Sequence, residues 1–132
     1  MRVRGIWMVQ DAERLNEITK RIIGCAYAVS NELGAGFLEK VYENALSHEL
    51  KKDGLQVEQQ RPIKVLYDGV IVGEYVADLV VEDEIIVELK AIKAFDNFHF
   101  AQCVNYLKAT GKSICLLLNF GQPKVDIKRF AN

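Results

Sequence analysis

The feature that most constrains the fold is a change of hydrophobic period near Leu55. From Leu55 to Lys93 the chain is rich in β-branched residues, in the runs Val57–Gln60, Ile63–Tyr67, Val70–Val81 and Ile85–Ile92. Asp68-Gly69 is a strong two-residue hairpin signal, and Glu82-Asp83-Glu84 marks a second turn. Strands joined this tightly must run antiparallel.

The period before Leu55 is helical. Ile18, Ile22, Cys25, Ala26, Val29 and Leu33 recur every three or four residues, which predicts a helix over 16–32 with Asn16 as its N-cap. Gly34 and Gly36 then break it. Leu38, Val41, Tyr42, Ala45, Leu46 and Leu50 form the stripe of a second helix over 37–52, stopped by Asp53-Gly54. Beyond the strands, a third helix spans 98–110 and ends at Gly111. Lys112–Asn119 is nearly all apolar, as in a strand buried on both faces. A helix between strands is a crossover, so this strand runs parallel to an earlier one. Val125–Phe130 is expected as a final edge strand.

The expected order is therefore α-α-β-β-β-α-β-β, an α/β domain of the α+β type with a mixed sheet flanked by helices. No linker or repeat divides the 132 residues, so a single domain is expected, with residues 1–12 as a flexible N-terminal segment. Cys25, Cys103 and Cys115 show no CxxC or Cys/His ligand spacing and read as buried thiols of a reduced, cytoplasmic protein. No apolar run approaches a membrane span, and the first ten residues lack the apolar core of a signal peptide. The formal charge of −1 hides an acidic first two-thirds and a basic remainder, 88–132. That basic third could meet phosphate, although the excess is small and a mixed solvated surface is the commoner explanation.

Chemistry concentrates at the second hairpin. If Glu82–Glu84 form a three-residue loop, Val81 pairs with Ile85 and Asp78 lies opposite Glu88, on one side of the sheet. Lys90 shares that side because strand side chains alternate, while Val87, Leu89 and Ala91 face a core together with Ala77 and Leu79. A two-residue loop would pair Asp78 with Val87 and separate the acids. Opposed carboxylates raise each other's pKa, and a divalent cation reverses that cost by taking oxygen ligands. The bland alternatives are a solvent-facing strand residue or an ion pair with Lys90. Glu39 falls in the first turn of the second helix, where the helix dipole favours a carboxylate with or without a function. Gln102 and Tyr106, four apart, share one face of the third helix. They equally suit a core tyrosine beside a polar surface residue.

Together these segments resemble the GxxExxY family, a branch of the PD-(D/E)XK nuclease-like superfamily. The name motif stands as Gly36-Phe37-Leu38-Glu39-Lys40-Val41-Tyr42. The resemblance continues through Gly73-Glu74-Tyr75-Val76-Ala77-Asp78-Leu79, Val87-Glu88-Leu89-Lys90, Gln102-Cys103-Val104-Asn105-Tyr106-Leu107 and Leu117-Leu118-Asn119-Phe120-Gly121. It implies a restriction-endonuclease-like core. Asp78 would be the acid of the second core strand, preceded by Ala77 rather than proline, and Glu88-Leu89-Lys90 the (D/E)xK element. Glu39 would be the acid of the first core helix, and Gln102 and Tyr106 the QxxxY element.

The resemblance further implies hydrolysis of a phosphodiester of DNA. Asp78, Glu88 and the Leu89 carbonyl would hold Mg²⁺ or Mn²⁺, with Glu39 completing the shell. Lys90 would orient the attacking water or stabilise the phosphorus centre, and Gln102 would position water or the nucleic-acid backbone. Tyr42 and Tyr106 would support the site. The alternative is a catalytically silent module that binds nucleic acid or protein. A homodimer or a partner protein is a further expectation. His48 and His99 have no zinc-ligand spacing, and His99 reads as a helix-start residue.

Overall fold

A computed structural model describes the backbone of residues 4–132 and the side chains from Asp11 onward. The elements are α1 (Arg4–Leu33), α2 (Glu39–Lys52), β1 (Val57–Tyr67), β2 (Val70–Val81), β3 (Ile85–Lys90), α3 (Asn97–Thr110), β4 (Ile114–Asn119) and β5 (Asp126–Ala131). This is the expected order. The strands form one sheet in the order β1-β2-β3-β4-β5, antiparallel except for β3 and β4, which run parallel across the α3 crossover.

The first helix starts well before Asn16. Of the segment 1–12, expected as flexible, residues from Arg4 on are helical, and the first three lie outside the described residues. Asn16 is not an N-cap; its side-chain oxygen accepts a hydrogen bond from Arg129 at 2.7 Å. Strong helix formers over 12–15 carry the helix through this point, and Leu15 extends the buried stripe.

Two cores lie on opposite faces of the sheet. One packs α1 and α2 (Ile22, Val29, Leu46) against Leu79, Val87, Leu89 and Leu116. The other packs α3 (Cys103, Tyr106, Leu107) against Val80, Ile86 and Leu117. Each fully buried aliphatic side chain contributes about 1.5–3 kcal/mol. All three cysteines are buried and unpaired. Ala77 departs from expectation: it joins the α3 core with Ile63, whereas Leu79 faces α1 and α2. The alternation of faces changes phase at Asp78, opposite which Gln60 adopts a left-handed conformation (φ 54°) in mid-strand. No glycine relieves that residue, which costs about 1–2 kcal/mol.

The second hairpin has the three-residue loop on which the site depends. Val81 pairs with Ile85 and Leu79 with Val87. Glu82 and Asp83 both take positive φ, and the loop is pinned from three directions. The Glu82 carboxylate accepts from the Gln56 N–H at 2.8 Å, Arg14 binds Glu84, and Lys112 Nζ donates to the Asp83 carbonyl at 2.6 Å. The β1–β2 hairpin, turned by Asp68 and Gly69, projects beyond the rest of the sheet, with Leu66, Tyr67, Val70, Ile71 and Val72 each more than half exposed.

Candidate functional site

Backbone pairing between β2 and β3 stops at Leu79 and Val87, one residue short of Asp78 and Glu88. Carboxylates replace the missing ladder bonds. Glu88 Oε1 accepts from the Asp78 N–H at 3.2 Å, and Asp78 Oδ2 accepts from the Leu89 N–H at 2.9 Å. The two acids are thus brought together where the strands part. Glu88 is 3% exposed, and burial, reinforced by the Asp78 charge, pushes its carboxyl up to about 9. A cation between such acids would offset the cost that burial and repulsion impose.

Glu39 opens α2, whose N-cap, Leu38, supplies no side-chain hydrogen bond. Its carboxyl is raised, mainly by partial burial, held down by Lys90 and raised again by Asp78 and Glu43. The helical acid therefore faces the same region as Asp78 and Lys90. The name motif has a mechanical role here. The Tyr42 hydroxyl donates to the Gly34 carbonyl at 2.6 Å and accepts from the Phe37 N–H at 3.1 Å, while its ring stacks on Phe120 at 4.8 Å. Gly36, at φ 115°, permits the turn that Tyr42 pins. Tyr42 thereby sets where α2, and so Glu39, begins.

From the other face, Gln102 donates to the Tyr106 hydroxyl at 3.0 Å. Burial and then the Glu88 and Asp78 charges raise the Tyr106 phenol. Tyr75, Phe98, Gln102 and Tyr106 line an adjoining cleft of about 160 Å³. His99 accepts the Asp96 N–H at 3.0 Å in a capping box at the start of α3, and so is the helix-start residue expected.

Three residues were assigned no role by the sequence reading. Glu43, 3% exposed, accepts from Lys40 Nζ at 3.0 Å, Gln59 Nε2 at 2.7 Å and Gln60 Nε2 at 2.7 Å. Its spacing of four from Glu39 was the available signal. Gln60 also reaches Asp78 Oδ1 at 3.5 Å and gave no signal. Asn119, fully buried at the end of β4, binds both the N–H and the carbonyl of Ile92 (3.0 and 2.9 Å) and the Gly121 N–H (2.9 Å). That clasp holds the chain as it leaves Lys90.

The donors on offer are hard oxygens, which suit Mg²⁺, Mn²⁺ or Ca²⁺ rather than a thiophilic metal. Among the described residues, however, no group of three His, Cys, Asp or Glu side chains is set as a ready metal site. The acids converge as a pair, with Glu39 nearby.

A mixed five-stranded sheet carrying an acid pair and a lysine where β2 and β3 diverge is a restriction-endonuclease-like architecture. Residues 16–130 match the family PDDEXK_3, described as PD-(D/E)XK nuclease superfamily, and the chain belongs to that superfamily. Two solved structures share the fold. "Crystal structure of SSO0001" superposes with a TM-score of 0.56 at 15% identity, covering 71% of this chain and 50% of that one. The alkaline exonuclease LHK-Exo from Laribacter hongkongensis gives a TM-score of 0.52 at 15% identity, covering 70% of this chain and 55% of that one. The chain thus spans about half the length of both. No protein of curated function matches its sequence. Among the described residues no helix is long and apolar enough to cross a membrane.

Proposed function

We propose that the chain is a divalent-metal-dependent nuclease of the GxxExxY branch, hydrolysing phosphodiester bonds of DNA with Mg²⁺ or Mn²⁺. The observation that carries this reading is the mutual capture of Asp78 and Glu88 at the parting of β2 and β3. Asp78, Glu88 and the Leu89 carbonyl would hold the ion, with Glu39 approaching from α2. When bound, the ion would lower the pKa of a water and neutralise charge on the phosphate. Lys90, two residues beyond Glu88, would orient that water or stabilise the phosphorus centre. Gln102, held by Tyr106, would position water or the nucleic-acid backbone. Phe98, 72% exposed, and Tyr75 offer flat faces in the cleft shared with Gln102 and Tyr106, on which bases of a single strand would stack. A cytoplasmic setting accords with three unpaired thiols.

The apolar tip of the β1–β2 hairpin supports self-association. Leu66 and Ile71 share one face of this ribbon and Tyr67, Val70 and Val72 the other, each residue more than half exposed. A second copy offering the same tip is the occupant proposed.

The test uses labelled single-stranded DNA, duplex DNA and RNA, each with Mg²⁺, Mn²⁺ or EDTA. Metal-dependent cleavage of DNA, abolished by Asp78→Ala and by Lys90→Ala, is expected. A second reading, a catalytically silent module with a nuclease fold, is favoured by the lack of a three-residue ligand set among the described residues. DNA binding with no cleavage under any metal would leave only that module.

A further inference from the structure

Gln60 combines a costly backbone with an unusual side-chain placement. It holds a left-handed backbone inside a strand, and its side-chain nitrogen is shared between two carboxylates. The β1–β2 offset is the same on either side of it, Gln59–Leu79 and Arg61–Ala77, but the strand changes face there: Val57 packs on the α1–α2 core and Ile63 lies in the α3 core. The same local backbone leaves the Gln60 side chain in reach of both Glu43 and Asp78, so strain at this one residue lies beside the site.

Glu43 supplies the other half. A carboxylate this buried is stabilised only by donors, and it has three: one from its own helix and two from β1. Of those donors only Gln60 goes on to Asp78. Its contact falls on Oδ1, while Leu89 N–H holds Oδ2. Leu89 N–H thus holds Oδ2 at 2.9 Å while the Gln60 amide reaches Oδ1 by a longer, weaker contact of 3.5 Å, and the two together bias the plane of the carboxylate.

We infer that Glu43 and Gln60 are positioning residues: buried Glu43 anchors the Gln60 amide, and Gln60 sets the orientation in which Asp78 presents its carboxylate. The inference rests on reading Asp78 as a cation ligand. Partners of this kind, one shell removed from a metal, typically change affinity 10–100-fold when removed.

The test compares wild type, Gln60→Gly and Glu43→Gln by Mn²⁺ titration calorimetry, thermal melting, and the Leu89 amide resonance in metal-free protein. Glycine accepts the left-handed backbone freely, so Gln60→Gly is expected to melt no lower than wild type. It should nevertheless bind Mn²⁺ at least about 10-fold more weakly, and its Leu89 resonance should move although residue 60 does not touch Leu89. Glu43→Gln should move the same resonance, since it places an N–H where three donors converge. Unchanged Mn²⁺ affinity and an unmoved Leu89 resonance in a folded Gln60→Gly protein would overturn the inference. So would weakened binding accompanied by an equal loss of thermal stability, because that marks a purely structural role. If wild type itself binds no Mn²⁺, the nuclease reading fails, whereas the Leu89 resonance still decides whether Gln60 orients Asp78.

Discussion

Glu88 sits with its carboxyl oxygen 3.2 Å from the backbone nitrogen of Asp78, and Asp78 returns the contact by binding the nitrogen of Leu89 at 2.9 Å. Two acids thus take over hydrogen bonds that a regular ladder would assign to carbonyls. The sheet opens at this point.

This burial has a pH signature. The Glu88 carboxyl is raised in the folded chain to about 9 from a value near 4.5. The folded state therefore binds the proton more tightly than the unfolded state. Its contribution is fully present below the unfolded value and is lost as pH rises through the folded one. In EDTA, the melting temperature should fall between pH 5.5 and pH 8.5. Glu88→Gln should flatten that fall, and an unaltered slope in thermal melts at several pH values would contradict the assignment.

Asn119 clasps the exit from β3, and Asn119→Ala would leave the Ile92 N–H and carbonyl and the Gly121 N–H without their partner. The expected loss is about 2–4 kcal/mol in urea unfolding. Gly121→Ala should be at least as damaging, since a Cβ there would overlap the Ile92 backbone, lying 2.8 Å from its carbonyl carbon.

Tyr42→Phe keeps the stack on Phe120 and removes the two hydrogen bonds to the Gly34–Phe37 turn. A loss of about 1–3 kcal/mol is expected. Because the turn sets the start of α2, any cleavage activity should fall by more than this destabilisation explains, read as turnover at a temperature where the variant is fully folded.

The hairpin tip should drive a weak, concentration-dependent dimer. Light scattering across a dilution series would show mass rising with concentration, and Ile71→Glu or Val70→Lys should return it to that of one chain. Identical curves for wild type and variants would remove the hairpin as the contact.

What the sequence determined by itself was what local physics controls. Hydrophobic period located three helices and the strand runs, Asp68-Gly69 set the first turn, and the alternation of strand side chains placed Glu88 and Lys90 on one side. The loop at Glu82–Glu84 was legible only as a condition, because Gln56, Arg14 and Lys112, which pin it, lie far away in the chain. Asn16 shows the opposite error: a good capping residue is overruled when the chain before it continues as helix. Tertiary structure alone decided the pleat change at Asp78, the tether from Glu43 through Gln60, and the Asn119 clasp. Each depends on a side chain meeting a partner 16 or more residues away. No periodicity encodes such a meeting, because it exists only once helix and sheet have packed.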